Sequence, residues 1–183
     1  MRKNLMKLNM RILLATMGVA ALTVGMAQPA SAATTGETLT SLNIQGGSLS
    51  ITVPESASLG TKANSVSGRE FTSSLGQVTV SDARSAAAGS TWNASAVATA
   101  FTPPSGTAIA ASAISYSAGS ITKVGTATFT ATNLTSMSAA AVVVAATGIT
   151  GDNSAVWNPT ITVDVPGGMA ANAYYATITH SVY

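Results

Sequence analysis

Apolar and polar residues take turns along most of this chain. Leu49, Ile51 and Val53 alternate with Ser48, Ser50 and Thr52, and Val78 and Val80 alternate with Gln77, Thr79 and Ser81. Ala127, Phe129 and Ala131 alternate with Thr126, Thr128, Thr130 and Thr132. Ile161, Val163 and Val165 are spaced by Thr160, Thr162 and Asp164, and the same rhythm runs from Tyr174 to Tyr183. Side chains of an extended strand point to opposite faces in turn, so each run predicts a strand buried on one face. Val142-Val143-Val144 is a continuous apolar run and predicts a central strand.

Turn-forming residues punctuate these runs at Gly46-Gly47, Pro54-Glu55, Pro103-Pro104-Ser105-Gly106, Gly151-Asp152-Asn153 and Pro166-Gly167-Gly168. The stretch from Ala57 to Ser74 is polar and rich in Gly and Ser, which predicts a long connection. The Ala-rich pieces around Ala86 and Ala139 admit at most a short helical turn. Many short strands with frequent turns predict an all-β fold, an antiparallel β-sandwich or barrel. Residues 38–183 form a single domain on this reading.

The opening of the chain obeys another pattern. Arg2, Lys3, Lys7 and Arg11 precede an apolar run from Ile12 to Val24, and Ala30-Ser31-Ala32 closes it. This is the layout of a secretory signal peptide over residues 1–32, cut after Ala32. The run is too short to remain as a membrane span, so no membrane contact is expected after cleavage. Residues 33–37 are expected to be a flexible new N-terminus. The expected location is extracellular, at the cell-wall surface.

Removing the leader reverses the charge. Lys62, Arg69, Arg84 and Lys123 remain against Glu37, Glu55, Glu70, Asp82, Asp152 and Asp164, a formal charge of −2. No basic patch is left for phosphates, which argues against nucleic acid as a partner. The absence of cysteine excludes disulfides, thiol nucleophiles and Cys-based metal sites. So weakly charged a surface is unusual for a freely soluble protein. It points to cover by a partner, a wall polymer or further copies of the chain.

Two segments carry a resemblance. The first is Leu75-Gly-Gln-Val-Thr-Val-Ser-Asp-Ala-Arg84, followed by Trp92-Asn93-Ala94 and Phe101. The second is Trp157, then Ile161-Thr-Val-Asp-Val-Pro166, then Tyr174 to Val182. In this order they resemble the WxL domain of Gram-positive surface proteins, with a Val-x-Asp-x-Arg strand end, a nearby Phe, a late Val-Pro and a final Tyr-containing strand. The resemblance covers most of the chain after Leu42. Both name-giving motifs are altered: the first Trp-x-Leu is Trp92-Asn93-Ala94, and the second is His180-Ser181-Val182. The resemblance implies an Ig-like β-sandwich that associates non-covalently with peptidoglycan.

Several residues invite chemistry. Asp82 and Arg84 share parity with Val78 and Val80, which predicts a structural ion pair at the end of the core, the alternative being a ligand site. Trp92 has Ala94, Ala96 and Ala98 on its own face, which leaves room for a buried ring; the alternative is an exposed platform for sugar. Trp157 adjoins Asn158-Pro159 at a junction, where a contact role and a packing role are equally open. His180 is the only histidine and lies between Ile178 and Val182 on the apolar parity, as a hydrogen-bonded and partly buried residue would.

No metal site, cofactor or catalytic set emerges. A lone His without Cys is a poor transition-metal site, and Asp152-Asn153 in a Gly-flanked turn is too few oxygens for calcium. No Gly-x-Ser-x-Gly elbow is present, and the six carboxylates are scattered. The sequence therefore reads as a non-enzymatic secreted surface protein bound to wall polymer or matrix. A self-assembling fibre or matrix subunit, a homo-oligomer, is the alternative, and a secreted hydrolase with an unrecognised site is the third.

Overall fold

A computed structural model of the chain describes residues 38–183. The expected leader and the expected flexible residues 33–37 lie outside the described residues. From Asn43 to Tyr183 the chain forms one compact unit. It is an all-β antiparallel sandwich. The first sheet places β1 (Leu49–Thr52), β3 (Val78–Ala98), β6 (Ala141–Trp157) and β5 (Ile121–Ala131) in that order, and β8 (Ile178–Val182) also pairs with β3. The second sheet runs β2 (Arg69–Ser74), β7 (Thr160–Val165) and β4 (Ile114–Ser117). Every strand pairing is antiparallel.

The alternating residues meet between the sheets. Val78, Val80 and Trp92 from β3, Val143, Val144, Ile149 and Trp157 from β6, and Ile114, Tyr116, Ile161 and Val163 from the second sheet are all buried in one cluster. Full burial of each aliphatic side chain stabilises the fold by about 1.5–3 kcal/mol. Val142-Val143-Val144 lies in β6, between β3 and β5, as a central strand.

Four local expectations are corrected. The connection expected from Ala57 to Ser74 ends early, because Arg69–Ser74 is β2, paired residue by residue with β7. Only Phe71 is apolar in β2, so its alternation is invisible; the register with β7 makes the strand. Ala86 is not helical but lies inside β3, opposite Gly151. Gly151-Asp152-Asn153 is not a turn between strands but an irregularity within β6. Here β3 uses more residues than β6 between Asp82 and Trp92, and Ser85, at φ 53°, takes up part of the excess. Val53 lies beyond the end of β1 and is exposed.

Candidate functional site

The long β3–β6 pair presents a carboxylate to the interior. Asp82 is 1% exposed, a position that costs several kcal/mol unless the charge is matched. Arg84 matches it with two parallel bonds, Nε to Oδ1 at 2.8 Å and Nη2 to Oδ2 at 2.9 Å. The Arg84 backbone N–H donates to Oδ1 as well, at 3.2 Å. Asn153 on β6 donates from Nδ2 to Oδ2 at 3.1 Å, and its own Oδ1 accepts the Trp92 indole hydrogen at 2.9 Å. The guanidinium bonds beside Asp82 hold its carboxyl below the usual carboxylate range, against the opposing pull of burial. The Arg84 side chain reaches outward from this carboxylate and is 37% exposed, so only the acid of the pair is buried.

A second polar chain crosses between the sheets. The Trp157 indole Nε1 donates to Tyr116 Oη at 2.9 Å, and Tyr116 Oη lies 3.2 Å from His180 Nε2. This ties β6 to β4 and β4 to β8. Burial pushes the Tyr116 hydroxyl up to about 12 and pulls the His180 imidazole below its ordinary value. Trp157 is 2% exposed, which decides between its two open roles for packing and against contact: it shares the inward parity of Asn153 and Ala155, and the chain turns only after it. Trp92, 1% exposed and 5.7 Å from Phe129, cannot serve as a sugar platform either. Among the described residues no group of three His, Cys, Asp or Glu could hold a metal ion.

With both tryptophans inside, the open surface lies elsewhere. A cleft of about 830 Å³ runs over β2 and β7, walled by the segments 53–65 and 169–178. The walls are tied to each other: Asn64 Nδ2 donates to the Met169 carbonyl at 2.8 Å, and the Gly168 N–H to the Ser65 carbonyl at 3.3 Å. Tyr174 is fixed by its hydroxyl on the Ala170 carbonyl at 3.0 Å. Leu59, Phe71, Leu75, Met169 and Ile178 line the cleft with half-buried apolar surface. Ser56, Ser58, Thr61, Asn172 and Thr177 add hydroxyl and amide groups, and Tyr175 is 70% exposed. Charge in the lining is sparse and mixed, with Glu55 against Lys62 and Arg69. His180 also lines this cleft, so the cross-sheet chain ends at its wall.

Sequence reasoning reached Asp82, Arg84, both tryptophans and His180, but not Asn153 as their link, nor Tyr116, nor the cleft. Comparison with protein-family models, curated proteins and solved structures gives no match.

Proposed function

We propose that this chain is a secreted, non-enzymatic, WxL-like surface module that associates non-covalently with a neutral wall or matrix polymer through the cleft over β2 and β7. The observation that carries the reading is the cleft's lining: half-buried apolar surface, hydroxyl and amide groups, an exposed Tyr175 and little charge. Sugar rings have apolar faces and polar edges, and aromatic side chains with a polar tip suit them. The two tryptophans of the WxL-like pattern then serve the scaffold, and recognition falls to the walls at 53–65 and 169–178.

The reading is tested by sedimenting the chain with purified peptidoglycan at neutral pH. Wild type should pellet with the wall, and Tyr175→Ala, at a side chain 70% exposed, should pellet less while melting like wild type. Failure of wild type to pellet would remove the proposal.

One observation favours a second reading, self-assembly. Leu39, Leu42 and Ile44 are each at least 80% exposed, an unusual run of apolar surface. Growth through the long edge strand β5 is opposed by Lys123 in that strand and by its irregular register around Gly125. Light scattering of the chain without wall separates the readings, because a fibre subunit grows alone.

A further inference from the structure

His180 stands where the cleft meets the cross-sheet polar chain, and counting hydrogens fixes the direction of that chain. Trp157 Nε1 can only donate, so Tyr116 Oη accepts from it. Were His180 Nε2 also to donate to Oη, the phenolic hydrogen would be left with no acceptor, in a side chain 1% exposed. Tyr116 therefore donates to Nε2. Burial favours the neutral imidazole, which carries one hydrogen, and that hydrogen sits on Nδ1.

Among the described residues Nδ1 has no partner and no buried side-chain nitrogen or oxygen lacks one, so Nδ1 is open to its surroundings. The residue lines the cleft, which is the space we assign to that hydrogen. We infer that His180 is the specificity-determining donor of the cleft: its Nδ1–H, fixed by the Trp157–Tyr116 chain, donates to the carbonyl oxygen of an amide or acetamido group on a neutral polymer. The inference rests on the cleft being the binding face.

The chemistry of the lining selects that class of acceptor. An amide or acetamido group joins one strong acceptor oxygen to an apolar methyl or methylene, which suits a fixed donor beside Ile178, Leu75 and Phe71. The final strand carries this donor where the WxL pattern has Trp, so the recognition belongs to this chain's own departure from the pattern.

Three variants separate the ring from its hydrogen. His180→Asn keeps an amide nitrogen near the place of Nδ1 but gives up the acceptor of the Tyr116 hydroxyl, and should bind peptidoglycan more weakly than wild type but more tightly than the other two variants. His180→Gln places it nearer Nε2, and His180→Phe has no donor, so both should bind about five- to tenfold more weakly. Nitrogen-15 spectra of the wild-type imidazole should show Nδ1 protonated, Nε2 bare, and the Nδ1 signal displaced by soluble wall fragments. A hydrogen on Nε2, or equal binding by all three variants, would overturn the inference while leaving wall binding intact. If wild type ignores peptidoglycan, the wall reading falls. An N-acetylglucosamine tetramer and an alanine tripeptide amide then decide the donor: a moved Nδ1 signal upholds it, and a still one ends it.

Discussion

Trp92 and Asn153 are 61 residues apart, yet the indole donates to the amide oxygen at 2.9 Å while the amide nitrogen donates to Asp82. One side chain thus satisfies a buried donor and a buried carboxylate together. Removing it leaves both short of a partner. Asn153→Leu should destabilise the fold by about 2–4 kcal/mol, since each orphaned buried group costs about 1–3 kcal/mol. Urea unfolding of the variant checks this, and a change under 0.5 kcal/mol, on the order of a surface substitution, would contradict it.

Asp82→Ala should cost about 3 kcal/mol, through loss of the Arg84 pair and of the Asn153 contact. Because Asp82 and Asn153 touch, the double variant should cost less than the sum of the two singles. A double-mutant cycle that adds without a coupling term would mean that the network has no collective worth.

Acid should weaken the fold in two steps. His180 and Asp82 both have folded values below their unfolded ones. Each contributes stability that is complete above the unfolded value and is lost as pH falls through the folded value. For His180 the decline starts below about 6.5, and for Asp82 below about 3.9. Tyr116, pushed up to about 12, acts at the alkaline end: stability falls as pH rises from about 10 to 12. Melting temperature against pH reads all three, and His180→Asn should erase the first acid step only.

Two glycines should respond differently to alanine. Gly125 has φ 90°, and a Cβ there would lie 2.5 Å from the Asp152 carbonyl oxygen. Gly89 has φ 88° with nothing within 4 Å. Gly89→Ala should cost about 1 kcal/mol of backbone strain, and Gly125→Ala clearly more, because contact adds to strain. Equal melting temperatures would argue against the close packing of β5 on β6.

The alternating runs of β1, the start of β3, the second half of β5, β7 and β8 were legible in the sequence, and with them the sandwich, whereas the two alternating positions of β4, Ile114 and Tyr116, were too few to be read. Phe71 alone could not announce β2, and Asp152-Asn153 reads as a turn because the same residues serve turns and strand irregularities. The Asp82–Arg84 pair followed from parity, since both residues sit two and four positions beyond Val80. Asn153 and Tyr116 did not, because their partners lie across the fold on other strands. The burial of Trp157 depends on where β6 ends, which a neighbouring Pro does not disclose. The cleft arises from two separate loops meeting over the second sheet, and no local pattern encodes that meeting.

Amide hydrogen exchange of the chain, free and bound to purified peptidoglycan, puts the cleft itself to the test. Slowed exchange should be confined to residues 53–65 and 169–178, with the rest of the sandwich unchanged. Protection centred on β5, or none on either wall of the cleft, would contradict binding there.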